Sequence, residues 1–242
     1  MLHSSLISLA VDDMQTQKTC PQADAPAGSR GLLTATVAYI VLVVAGLVAL
    51  GTTPAATETG SHLVAWLREH RGAVQWCMWA FTISTPALAV MLALERRLIP
   101  SPYSDVFFIG GIAILVSSAV QSWFWAGLAL HADQLEPAMA RALLDVAVFF
   151  GPILTGATTT MMAPVTLLAL RSKAGLPMWL GFLGAAAFVE QSIETITIFG
   201  STGFTQPGGA MNLQLGAGLT LAWMMAFGLW GGLRGRALNP AP

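Results

Sequence analysis

Charge is what this sequence has least of. Its 242 residues include 11 Lys and Arg and 12 Asp and Glu, or 10% charged, where an ordinary soluble domain carries about 25%. The formal net charge is −1 and the bases fall in ones and twos. No basic stripe for nucleic acid and no contiguous polybasic block for lipid headgroups is present in the sequence. Cysteine is scarce as well: Cys20 and Cys77 form no Cys-x-x-Cys, so neither dithiol exchange nor a structural zinc is expected. The four histidines, His3, His62, His70 and His131, all fall near the ends of apolar runs or outside them. An axial haem ligand would have to lie inside one, so no haem and no other cofactor is expected. There is no His-Glu-x-x-His to hold a metal, no Gly-x-Ser-x-Gly for hydrolysis and no glycine-rich phosphate loop. Gly181-Phe182-Leu183-Gly184 sits within an apolar run and reads as packing.

What the chain has is apolar length. Hydrophobic residues make up 55% of it, and its mean hydropathy is +0.68. Six apolar stretches run over 31–51, 74–95, 104–131, 140–170, 177–199 and 211–233. A helix needs roughly 20 residues to cross about 30 Å of hydrocarbon, and each stretch reaches that length. They are continuously apolar rather than alternating, which argues for helices and against a barrel. The expected fold is therefore an all-α integral membrane protein of six transmembrane helices over 31–233. Residues 1–30 are expected to form a disordered cytoplasmic tail and residues 234–242 a short cytoplasmic one. Lys18, Arg30, Arg96, Arg97, Arg171, Lys173, Arg234 and Arg236 collect on one side, against Arg68, Arg71 and Arg141 on the other. By the positive-inside rule both termini are cytoplasmic, in a cell membrane and most simply a bacterial inner membrane. Leu63, Trp66, Leu67 and His70 recur at i, i+3, i+4 and i+7, predicting a short amphipathic outer helix near 61–71. The glycine-rich segment 200–210 is expected to be a turn, with a folded-back lid as the alternative.

Polar groups inside such stretches point to function, because a carboxylate at mid-span costs about 2.5–3.5 kcal/mol on insertion scales. Glu190 and Glu194 are four residues apart and share one helix face, with Gln191 beside them. At 1.5 Å per residue they lie ~20 Å and ~26 Å from the inner end of the fifth run. Asp145, one turn below Arg141, lies ~8 Å from the outer end of the fourth run, and Gln121 is ~26 Å from the inner start of the third. Gln75, Asn212 and Gln214 open their runs on the same side, and Trp76, Trp79, Trp123 and Trp125 lie at similar depth. These depths predict an outward-facing acidic and aromatic pocket formed by Glu190, Glu194, Asp145, Gln121, Arg141, Gln191, Trp123 and Trp79. Gly151-Pro152 is a candidate hinge near it, and Gly181-x-x-x-Ala185 and Gly228-x-x-x-Gly232 offer close helix approach, within the chain or in a homodimer.

Two carboxylates one turn apart repel each other, so such a pair is suited to sharing one proton. The expected function is binding or transport of a small cationic or amphipathic solute, proton-coupled through the glutamates. One alternative is an intramembrane acid–base enzyme acting on a lipid-soluble or isoprenoid substrate. Another is an accessory membrane subunit without ligand. Expected partners are membrane lipids and a small molecule, with no nucleic acid.

Overall fold

The computed structural model describes residues 25–55, 57–200 and 202–237. Helix α1 spans Ala25–Leu50, α2 Gly60–Glu69, α3 Arg71–Glu95, α4 Tyr103–Leu130, α5 Pro137–Leu170 and α6 Met178–Glu194. A 3-10 turn, Thr195–Phe199, continues α6, and a π-helical segment, Met211–Gly216, leads into α7, Ala217–Ala237. Among the described residues there is no strand. Five helices are long and apolar enough to cross a membrane: Gly28–Leu50, Arg71–Leu98, Tyr103–Leu130, Met178–Phe199 and Met211–Arg234. In α5 the described apolar stretch is the shorter Leu154–Leu170.

Most of the expected tails, 1–24 and 238–242, lies outside the described residues. Helix α1 nevertheless starts six residues before the apolar run, at Ala25. Pro26 is tolerated there because a first-turn N–H has no helical acceptor to lose. At the other end α7 carries on to Ala237.

The six long helices pack as a ring in the order α1, α3, α4, α5, α6, α7, with α7 returning against α1. Inside the ring, Leu32, Met91, Leu92, Phe107, Met161, Val165, Leu180, Trp223 and Phe227 form one buried core. Small residues set its tightest seams. A Cβ on Gly110 of α4 would lie 2.8 Å from Met161 Cα and 2.9 Å from Ala157 O of α5. Gly181 sits against Ala169 and Leu170 of α5, and Gly228 and Gly232 against Thr36 and Leu33 of α1, so both small-residue pairs have partners within the chain. Helix α5 is unbroken through Gly151 and Pro152.

A second core lies toward the other end. Leu63, Val64 and Leu67 of α2 pack with Val74, Cys77 and Met78 of α3, Trp125, Leu128 and Ala129 of α4, and Ala140 and Leu144 of α5. Helix α2 is the amphipathic helix that the i, i+3, i+4 pattern predicts. Thr59 caps it by accepting from His62 N at 3.3 Å. Its apolar face covers the ends of α3, α4 and α5, and the Trp66 ring stacks on His70 at 4.6 Å.

The outer surface of the ring is apolar. Val48 is 77% exposed, Ile109 65% and Phe182 63%, together with Val41, Val116, Val189 and Ile193. Soluble monomers rarely show so continuous an apolar surface, whereas a helical bundle presents one to hydrocarbon.

Candidate functional site

The buried face of α6 reads Leu180, Gly181, Gly184, Ala187, Glu190, Gln191 and Glu194. This is the i, i+3, i+4 stripe that turns a helix inward, and its last two turns place two carboxylates and a carboxamide in the interior. Glu190 is 7% exposed, Gln191 4% and Glu194 2%. Gln191 joins the two acids: its Nε2 donates to Glu190 Oε2 at 3.1 Å and to Glu194 Oε2 at 2.6 Å. Its Oε1 accepts from the Thr158 hydroxyl of α5. The amide orientation follows from this network, since only the NH2 end can donate to two carboxylates. From the other side, Asn212 Nδ2 donates to Glu194 Oε1.

The π-helical segment explains how Asn212 reaches the site. Its i→i+5 bonding widens the turn, a feature that concentrates at functional positions, and it carries Asn212 and Gly216 on its buried side. Gly216 leaves the room the acids occupy. A Cβ there would run into Glu194 Oε2 and lie 2.9 Å from Gln191 Nε2 and 3.0 Å from Glu190 Oε2. In the described part of the connection to the π-helical segment, 202–210, Gln206 N donates to Gly203 O and Gly209 N to Gln206 O. Gln206 in this connection and Thr197 in the 3-10 turn are buried.

One carboxylate oxygen, Glu190 Oε1, is buried with no hydrogen-bond partner. Among the described residues, no Lys, Arg or His forms an ion pair with Glu190 or Glu194. Two carboxylates buried without a cation are strongly unfavourable when both are ionised. The arrangement suits uptake of a proton or of a cationic group.

The other residues that depth alone had grouped with this pair lie elsewhere. Asp145 accepts from Arg141, whose Nε is 3.0 Å from Oδ1. Arg141 also donates to Ala55 O at 3.3 Å and Glu58 O at 3.4 Å, tying α5 to the segment before α2. Asp145 stands ~20 Å along α5 from Thr158, by the helical rise over the intervening residues. The reason is the length of α5: its 34 residues span ~51 Å, well beyond a ~30 Å hydrocarbon layer. Gln121 Nε2 donates to Ala147 O at 3.1 Å, joining α4 to α5. Trp79 is 49% exposed and stacks on Trp76. Trp123 is 70% exposed and lines a separate groove of about 580 Å³ with Phe124, His131, Leu135 and Met139.

Sequence reading overlooked a third buried acid. Glu95 of α3 is 2% exposed, and its Oε1 has no hydrogen-bond partner. It faces Gly228 of α7 and Thr36 of α1. Glu95 is the last residue of the apolar run 74–95, directly before Arg96 and Arg97. A signal was present, because Glu95 continues the buried stripe Ser84, Leu88 and Met91 at helical spacing. Gly216, the last residue of the π-helical segment, and Gly228 of α7 are ~18 Å apart by the helical rise. Between those levels the Thr220 hydroxyl, Trp223 Nε1 and the Thr166 hydroxyl are buried without protein partners, the last two both beside Gly184.

No protein-family model matches the chain, and no curated protein or solved structure matches it.

Proposed function

We propose that this chain is a six-span protein of the cell membrane, with α5 as the remaining span and both termini cytoplasmic, that binds or transports a small cationic or amphipathic solute at Glu190 and Glu194. One observation carries the reading: two carboxylates, both more than nine-tenths buried, meet a shared carboxamide and, among the described residues, form no ion pair with a basic side chain. Membrane-embedded acids of this kind mark ion and proton pathways. Gln191 and Asn212 hold the carboxylates in place, Gly216 gives them space, and Glu190 Oε1 is the free acceptor for the incoming cation or proton. The partnerless hydroxyls of Thr220 and Thr166 between this cluster and Glu95 support coupling to a proton, because a hydroxyl can both accept and donate one.

The test is native mass spectrometry of the protein extracted in its own lipids, wild type beside Glu190→Gln/Glu194→Gln. A small-molecule adduct retained by the wild type and lost in the double variant is the expected result. An adduct-free wild type, with both single glutamine variants unchanged in ligand retention, stability and growth, would sink the reading. A stoichiometric protein partner in its place would point to an accessory subunit, and a chemically altered lipid without any ion gradient to an enzyme.

A further inference from the structure

Nine lysine and arginine side chains are described, and most are matched. Arg68 and Arg71 meet Asp133, Arg96 meets Asp105, Arg141 meets Asp145, and Arg234 donates to Gly175 O and lies over the Trp230 ring at 5.2 Å. Among the described residues Arg30, Arg97, Arg171 and Lys173 have no acidic partner, and the last three line one cavity of about 620 Å³. Ser101 and Tyr103 add polar side chains to its wall, and Leu98, Ile99, Leu167 and Leu168 form its apolar side.

Two connections create this cavity: the one from α3 to α4 brings Arg97, and the one from α5 to α6 brings Arg171 and Lys173. The second connection is held in an unusual conformation. Ser172 N donates to Ala169 O at 3.0 Å and Lys173 N to Leu168 O at 2.8 Å, the pair of bonds that closes a helix with a left-handed residue. That residue is ordinarily glycine, but here it is Ser172, at φ 51°, and Ala174 follows at φ 56°. Each non-glycine residue there is strained, and such strain persists where the surroundings over-determine it and gathers at ligand sites. Arg234 anchors the far end of the loop at Gly175.

We infer that this cavity binds a phosphate group, supplied by an anionic phospholipid of the surrounding membrane. Three cations without acidic partners supply the charge, and two arginines add forked donors suited to phosphate oxygens. The apolar side selects the lipid over a free anion. Leu167 is 45% exposed on the outside of the bundle, and Leu168 and Ile99 are buried behind it, so the charged and apolar walls meet as headgroup and acyl chain do. Basic pockets at the ends of membrane helices take lipid headgroups in this way. The inference rests on the bundle being embedded in a membrane and is independent of any role for Glu190 and Glu194.

The experiment is native mass spectrometry of delipidated protein titrated with phosphatidylglycerol, with phosphatidylcholine of the same chains, and with inorganic phosphate. Wild type is compared with Arg97→Gln, with Arg171→Gln/Lys173→Gln, and with Arg68→Gln as a distant charge control. Each cation near the headgroup contributes roughly fivefold to affinity, so the single variant should lose about fivefold and the double variant about 25-fold. Phosphatidylcholine should bind much more weakly, millimolar inorganic phosphate should not displace the phosphatidylglycerol, and Arg68→Gln should match wild type. Equal retention of the two lipids, or a phosphatidylglycerol adduct unchanged in both cavity variants, would overturn the inference. Inorganic phosphate that binds and is lost in those variants, while phosphatidylglycerol is not retained, would overturn the lipid assignment and leave a soluble phosphate site. Arg97→Gln alters an exposed side chain at a helix end, so it keeps the test valid should the double variant misfold.

Discussion

Replacing Gly216 by alanine adds one methyl group at the point where three polar side chains converge. That Cβ would collide with Glu194 Oε2 and press on Gln191 Nε2 and Glu190 Oε2. The carboxylate must swing away, giving up the 2.6 Å bond from Gln191 or the one from Asn212. Overpacking a filled interior costs about 1–3 kcal/mol, and a hydrogen bond to a charged group contributes about 1.5–3 kcal/mol. Against this, alanine is the better helix former by about 1 kcal/mol. The net expectation is a destabilisation of about 2–3 kcal/mol. Gly218, two residues on, provides the control, because nothing lies within 4 Å of its added Cβ. Gly218→Ala keeps only the propensity gain and should be neutral or slightly stabilising. At roughly 2–4 °C per kcal/mol for a chain of this size, the two variants should differ in thermal midpoint by about 5–12 °C. Thermal unfolding in one detergent, followed by tryptophan fluorescence, reads the difference directly. The same preparations, assayed for retention of a co-purified small molecule, should show loss in Gly216→Ala alone. Equal midpoints for the two variants would refute the packing of Glu190, Gln191 and Glu194 against Gly216.

Gly110→Ala places its Cβ against the α5 backbone at Met161 and Ala157, which cannot rotate away. It should destabilise by about 3 kcal/mol or more, whereas Gly127→Ala on the same helix, with open space around it, should be neutral by the same thermal assay. Asp133→Asn removes the acid shared by Arg68 and Arg71, but that carboxylate is 65% exposed. Its loss should change stability by less than about 1 kcal/mol, and a larger drop in thermal midpoint would mean that α2 is held by charge rather than by Leu63, Val64 and Leu67. Cys77 is fully buried among the residues of the second core, so in a Cys20→Ser background a water-soluble maleimide should label it only after denaturation. Rapid labelling in the folded state would contradict the packing of α2 over α3.

Several features were readable from local sequence. Continuous apolar runs in a chain so poor in charge specify membrane-length helices, because no other structure satisfies the backbone in hydrocarbon without alternating its side chains. The 3.6-residue repeat places Glu190 and Glu194 on one face and gives α2 its apolar side, because both relations lie within a single helix. Lateral neighbours and helix rotation are not local properties; they are set by where small residues let backbones approach. Only the tertiary structure therefore brings Thr158, Asn212 and Gly216 to the two acids, and only it turns Glu95 inward against Gly228. Depth counted separately along each run put Asp145, Gln121, Trp79 and Trp123 beside Glu190. The long α5 and the faces that α3 and α4 present place them elsewhere. The same holds for Arg97, Arg171 and Lys173, which form no basic block in the sequence and line one cavity because two connections fold back beside each other at the same end of the bundle.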